Sequence, residues 1–358
     1  MVRRAKPCQA RRAGANLTRA AAPAMRIGCA LAFRGDSIAP QPKGRLMAIV
    51  RPLTDADLPE AQRIVRAAFG TFLGVSELDN FWTDFDYVYG RHGAEHTASF
   101  ATDAEGALAG SNFATRWGSV GFFGPLSIRP DLWDRGLAQP LVAAASDAFE
   151  GWGLRHAGLC TFPQSTKHIH LYRKFGFHPR FLTPVMAAPA KAGVLPDGAR
   201  YAALAPDGRR AAEDASYALT DSLYDGLDLR AEMRTVAARN LGDTLLLWDG
   251  ASRLGGMAVC HWGPASEAGA DCLFIKFGAV RSGAGADARF AALLDAAGAL
   301  AASVGMAKVI AGVSSAREEA YTQMLGHGFR ALMNVVTMHR PNEPGYNRPG
   351  VYALDDWR

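Results

Sequence analysis

Two stretches of the chain hold residues whose types and spacing suit chemistry. The first is Leu126-Ser127-Ile128-Arg129-Pro130-Asp131-Leu132-Trp133-Asp134-Arg135-Gly136-Leu137-Ala138. An apolar, strand-like run enters a turn that opens a helix. The leading N–H groups of a helix have no internal partner and sit at the positive end of its dipole, so they attract an anion. Gly136 lets a ligand approach the backbone, small Ala138 keeps the next turn open, and Arg135 offers a charge-assisted contact. The second stretch is Ser165-Thr166-Lys167-His168-Ile169-His170-Leu171-Tyr172-Arg173-Lys174-Phe175-Gly176-Phe177. It reads as a short helix stopped by Gly176. A phenol such as Tyr172 keeps its proton at neutral pH and can deliver it to a departing anion. By itself the turn is also an ordinary strand–helix junction, and Tyr172 is also an ordinary core aromatic.

Together the two stretches resemble the GNAT superfamily of N-acetyltransferases. Gly136 and Ala138 match its acetyl-CoA pyrophosphate motif, Q/R-x-x-G-x-G/A, with Trp133 in place of the leading Gln or Arg. The run "LYRKFGF" matches its Leu-Tyr-x-Lys-x-Gly-Phe signature, with Ser165 where members often carry Asn seven residues before the tyrosine. The resemblance covers about Ile49 to Met186. It implies acetyl-CoA as cosubstrate, contacted by Ile128, Trp133, Asp134, Arg135, Gly136, Leu137, Ala138, Ser165 and Lys167. It also implies direct transfer to an amine, with the Ile128 N–H supporting the thioester carbonyl and Tyr172 as general acid.

The base that frees the amine is not evident. No Glu lies on the central strands, and the candidates are Asp84, Asp86, Glu95, His96 and His156. An aromatic group (Phe81, Trp82, Phe85, Tyr87 and Tyr89, with Trp117) suits core packing, or else the wall of an acceptor pocket.

The elements that must position these residues read as strand (Ile49–Leu53), a helix capped by Thr54 and running to Phe69, and a second helical region from Phe72 to Tyr89. Strands follow at 97–102, 107–117 and 122–128, then a helix at Gly136–Gly151, a strand at 157–162, the Tyr172 helix, and a closing strand at 181–186. Residues 184–200, rich in Ala, Pro and Gly, read as a linker. The order then repeats. It runs from a strand at Tyr201–Leu204 through helices at 207–222 and 229–240 and strands at 244–248, 256–261 and 273–280. A helix at 286–304, a strand at 308–313, a helix at 318–325 and a strand at 330–339 complete it.

This predicts an α/β chain of two GNAT-like domains in tandem, each a mixed, mostly antiparallel sheet flanked by helices. The expected limits are a leader at 1–46, a catalytic domain at 47–187, a linker at 188–200, a degenerate domain at 201–340 and an extended arm at 341–358. The arm should pack through Tyr352, Leu354 and Trp357. The spacing of Gly136 and Tyr172 recurs between Gly285 and Tyr321, 36 residues in each case, although the second turn lacks a clean motif. Lys276 is an unusual residue for a central strand.

Composition narrows the function classes. The net charge of +5 comes from the leader, which holds ten of the 39 Lys/Arg and one of the 34 Asp/Glu; residues 47–358 keep 29 and 33, a net of −4. That removes the support for a nucleic-acid partner. No apolar run reaches the roughly 18 residues of a membrane span. The leader reads as an over-called start with Met47 as the true one, as a flexible tail, or as a transit-like peptide, and is expected to be disordered. Cys160, Cys260 and Cys272 lie in apolar surroundings without zinc spacing, so no metal site is expected and the thiols should be reduced in a cytoplasmic monomer or homodimer. Two other readings stand beside acetyl transfer: a non-catalytic acyl-CoA-binding protein, and catalysis in the second half.

Overall fold

The computed structural model describes Gly44, residues 46–250 and residues 253–358. The expectations for the leader therefore fall outside the described residues, apart from Gly44 and Leu46.

The first half contains β1 (Ile49–Pro52), α1 (Leu58–Leu73), β2 (Thr97–Ala104), β3 (Ala107–Trp117), β4 (Val120–Phe123), β5 (Ser127–Ile128), α2 (Ala138–Gly151), β6 (His156–Thr161), α3 (Thr166–Arg173) and β7 (His178–Pro189). The second contains α4 (Pro206–Leu223), α5 (Arg230–Ala238), β8 (Gly242–Asp249), β9 (Arg253–Gly263), β10 (Gly269–Val280), α6 (Ala286–Ser303), β11 (Lys308–Gly312), α7 (Glu318–Gly326), β12 (Arg330–Arg340) and β13 (Ala353–Leu354). The expected α/β class and tandem layout are present.

Amphipathic periodicity explains the helices. Leu58, Ala61, Ile64, Val65 and Ala68 bury one face of α1, and Gly74 ends that helix in the left-handed region at φ 71°. Leu141, Val142, Ala145 and Phe149 bury one face of α2. Neighbouring residues of β3 serve opposite faces: Phe113 packs with α1, and Ala114 packs with α2 and α3.

Several expectations need correction. The strand drawn over 122–128 is broken, because Gly124 has φ 145° and Pro125 cannot donate to a ladder. The helical region drawn over 72–89 is one short turn at Leu78–Asn80 within irregular backbone. The helix drawn from Gly136 begins at Ala138. The strand drawn at 201–204 is a single 3-10 turn, Tyr201–Ala203. The linker drawn from Pro184 is strand as far as Pro189, since β7 pairs on both sides.

The strands form one sheet in the order β1-β2-β3-β4-β6-β12-β7-β11-β10-β9-β8. The middle of that order is an exchange between halves. β6 takes β12 from the second half as its outer neighbour (Thr161 opposite Val336), and β11 takes β7 from the first (Gly312 opposite Val185). Each half's last strand thus completes the other half's sheet.

From the central parallel pair onward the two halves correspond at a constant interval, and the hydrogen bond that ends the splayed strand recurs as well. The parallel pair Val120↔His156 recurs 152 residues on as Cys272↔Lys308. The Arg129 N–H donates to the Ala109 carbonyl at 2.8 Å, and the Arg281 N–H to the Gly255 carbonyl at 2.9 Å. Gly176-Phe177 recurs as Gly328-Phe329 at the same interval.

Candidate active site

β4 lies beside β6 only as far as Phe122↔Gly158. After the Gly124-Pro125 break, β5 pairs with β3 on its other side, through Gly110↔Ile128 and Ser111↔Ser127. A gap therefore opens between β5 and β6. Backbone polarity in a strand alternates. Arg129 turns its N–H to β3, so Ile128 turns its N–H and carbonyl toward the gap. The indole Nε1 of Trp133 donates to that carbonyl at 2.8 Å, which ties the turn to the strand.

The turn itself holds two left-handed residues, Asp134 at φ 66° and Gly136 at φ 84°. Among the described residues no acceptor meets the N–H groups of Asp134, Arg135, Gly136, Leu137 or Ala138. This is an anion cradle at the head of a 14-residue helix. A cavity of about 560 Å³, lined by Leu46, Ala48, Gly136, Gln139, Pro140 and Phe175 among others, adjoins the cradle. Arg135, expected to face a ligand, directs its Nε to the Gly44 carbonyl at 2.7 Å.

The structure brings the second stretch to the same place. The Lys167 Nζ lies 2.5 Å from Asp134 Oδ1 and 5.9 Å from the Trp133 ring centroid. Ser165 caps α3, its Oγ accepting from the His168 N–H at 3.4 Å. Tyr172 is buried among Phe123, Val142, Leu159 and Phe177, with its ring 5.6 Å from that of Phe123. Burial, followed by the nearby Cys160 thiol, pushes the phenol above its ordinary range, so it stays protonated. No partner holds its hydroxyl among the described residues.

The base candidates are engaged elsewhere. Asp84 accepts the Ala270 N–H at 2.8 Å, and Asp86 accepts those of Val88 and Tyr89 at 2.9 and 2.8 Å. Glu95 pairs with Arg234 at 2.5 Å, His96 with Glu232 at 2.9 Å, and His156 with His339 at 3.0 Å. Phe81, Trp82, Phe85 and Tyr87 pack mainly on one another and on Phe69. Trp117 stands apart from them, packed on Phe122 and Phe277 with its Nε1 3.0 Å from Glu232.

The same positions in the second half are closed. Val280, the counterpart of Ile128, donates its N–H to the Tyr352 carbonyl at 3.1 Å. β13 pairs beside it, through Gly278↔Leu354 and Ala279↔Ala353, so the C-terminal arm fills the gap that the first half leaves open. Ala286, which heads α6, has its N–H taken by the Gly283 carbonyl at 3.0 Å. At the 152-residue interval set by the two Gly-Phe pairs, Met324 stands where Tyr172 does. The sequence echo that pointed to Tyr321 is off by three positions. Met324 is buried and cannot supply a proton.

The first half thus sets a splayed strand beside an anion cradle at the head of a helix, in a mixed sheet. Residues 61–177 match the family model described as the acetyltransferase (GNAT) family. No curated protein sequence matches the chain. Among solved structures, an acetyltransferase candidate from Pyrococcus horikoshii superposes with a TM-score of 0.60 at 10% identity, over 87% of this chain and 95% of that one. A GCN5-related N-acetyltransferase from Sphaerobacter thermophilus gives 0.52 at 18% identity, over 83% and 96%. These identities establish the fold. Residues 61–177 thus resemble the GNAT acetyltransferase family, and the chain as a whole has the fold of these solved structures, in a tandem two-domain layout.

No helix among the described residues is long and apolar enough to cross a membrane. Among them, no group of His, Cys, Asp or Glu is arranged to hold a metal ion, and Cys160, Cys260 and Cys272 are free thiols.

Proposed function

We propose that the protein transfers an acetyl group from acetyl-CoA to an amine, with the chemistry in the first half. The contrast between the halves carries this reading. One gap keeps a free Ile128 N–H and a protonated phenol; its counterpart has a capped Val280 N–H and a methionine. The N–H groups of Asp134–Ala138 would take the diphosphate, and Lys167 adds positive charge at the rim. The Ile128 N–H would support the thioester carbonyl as charge develops on its oxygen, and Tyr172 would protonate the leaving thiolate.

Titration calorimetry with acetyl-CoA is expected to give one equivalent per chain. Gly136→Glu should abolish binding and Gly285→Glu should leave it intact. A thiol-release assay over a panel of primary amines tests the transfer itself. Two equivalents, or binding that survives Gly136→Glu, refute the assignment to the first half. One observation favours acyl-CoA binding without catalysis: Trp133 occupies the Ile128 carbonyl on the side that faces the gap. That reading predicts one equivalent bound and no thiol released with any amine.

A further inference from the structure

Acetyl transfer to an alkylamine needs a base, and the five acids and histidines singled out in the sequence are all engaged elsewhere. The gap itself supplies another candidate. α1 packs on one face of the sheet, against Leu108 and Phe113. α3 packs on the opposite face, where Tyr172 sits with Ala114 and α2. Side chains of α1 and α3 nevertheless meet: the rings of Phe72 and His168 lie 5.2 Å apart, and Phe72 lies 4.9 Å from Phe162, just past the end of β6. They can do so because the sheet is open between β5 and β6. His168 therefore stands where the two faces communicate. It lies one helical turn before Tyr172 on the same side of α3, with ring centroids 6.5 Å apart. Among the described residues no side-chain hydrogen bond engages its imidazole.

Resting on the acetyl-transfer reading, we propose that His168 takes the proton from the ammonium form of the acceptor. The imidazole accepts one proton from R–NH3+ and passes it to solvent. The freed amine attacks the acetyl carbon, so a C–N bond forms and the C–S bond breaks. Tyr172 gives its proton to the departing thiolate, and the second proton lost by nitrogen restores the phenol. The sum is one amide, one thiol and one proton released.

The surroundings suit the task. Burial, and then the positive charge of Lys167, lower the His168 pKa and keep the ring neutral near pH 7. Lys167 is itself paired with Asp134. Phe72 on α1 and Phe162 just past β6 carry no charge, and Tyr172 stays protonated.

The test compares 2-phenylethylamine, an ammonium ion at neutral pH, with aniline, which is already neutral. His168→Gln should lower turnover of 2-phenylethylamine on the order of 10²-fold at pH 7 and remove the acidic limb of its pH profile. It should change aniline turnover by less than about threefold. Imidazole should restore activity to His168→Ala, which guards against a folding artefact. An unchanged pH profile in His168→Gln, or an equal loss with both amines, overturns the role while leaving acetyl transfer standing. A wild-type protein that releases no thiol with these or any other amine overturns both readings.

Discussion

Replacing Tyr172 with Phe separates a catalytic phenol from a structural one, because among the described residues the hydroxyl has no folding partner. The ring carries the packing, against Phe123, Leu159 and Phe177, and phenylalanine keeps it. Removing an unpartnered hydroxyl strands no buried donor or acceptor, so the cost in stability should stay below about 1 kcal/mol. In a chain of this size that is at most about 2–4 °C in Tm. Loss of a general acid typically costs 10²–10⁴-fold, or roughly 3–5 kcal/mol of transition-state stabilisation. The expected variant is therefore folded, binds acetyl-CoA within a few-fold of wild type, and turns over at least about 10²-fold more slowly. The pH dependence sharpens the test. Burial raises the Tyr172 pKa, so its protonated form persists past the ordinary phenol value of about 10. Wild-type turnover should accordingly show no loss from tyrosine ionisation as pH rises toward that value. The assay is thiol release across pH alongside thermal melting. A Tyr172→Phe protein with wild-type turnover at every pH refutes the acid assignment. One that melts far below wild type refutes the claim that the hydroxyl holds nothing together.

Three further outcomes follow from the exchange of strands and the buried polar groups. Residues 47–189 expressed alone should lack a cooperative urea transition, because both neighbours of β7 come from the second half; a fragment that unfolds cooperatively shows that β7 can fold back beside β6. His156 and His339 are held neutral, their pKa values lowered to about 4 and about 3, chiefly by burial. The unfolded chain takes up protons first, so this stability is complete above about pH 7 and is lost as pH falls through 6.5 toward those values. By pH 5 the pair has lost roughly 4 kcal/mol of it, and the double variant to Gln should flatten the acid limb of urea midpoint against pH. Arg91→Met should destabilise by about 3–5 kcal/mol in the same urea assay, since it leaves buried Glu267 with Lys276 alone and frees the Gly124 carbonyl; a loss under 1 kcal/mol would show that the pair contributes little.

What the sequence disclosed was local. Helical periodicity located α1 and α2, and the spacing in "LYRKFGF" located Tyr172, because i, i+4 patterns and glycine stops are written in neighbouring residues. His168 was equally readable, one turn before Tyr172, but a search for an acid on the central strands passes over it. Counting 36 residues from Gly285 led to Tyr321. Anchoring on Gly328-Phe329 leads to Met324, because the turn before α6 is shorter than the one before α2. The exchange of β7 and β12 has no local signature at all. Both strands are long, 12 and 11 residues, and mix apolar with polar residues, and only pairing across more than a hundred residues distinguishes their neighbours.

That exchange makes each half's sheet depend on the other. β12 covers the outer edge of β6, which would otherwise stand bare. The hairpin between β9 and β10 braces the segment that runs from Phe81 to His96: the Ser266 carbonyl accepts the Asp86 N–H, and the Ala270 N–H donates to Asp84. Glu267 in the same hairpin holds Arg91 at 2.8 and 2.9 Å, and Arg91 in turn donates to the carbonyl of Gly124, where β4 leaves β6 and the gap begins. Burial alone would raise the Glu267 pKa, but Arg91 and Lys276 outweigh it and keep the carboxylate ionised. Lys276, the odd residue of the central strand, thus belongs to the brace that sets the opening of the other half. The second half can fill its own groove with the segment at Tyr352–Leu354 and still be needed, because its hairpin holds Arg91 at the edge of the first groove.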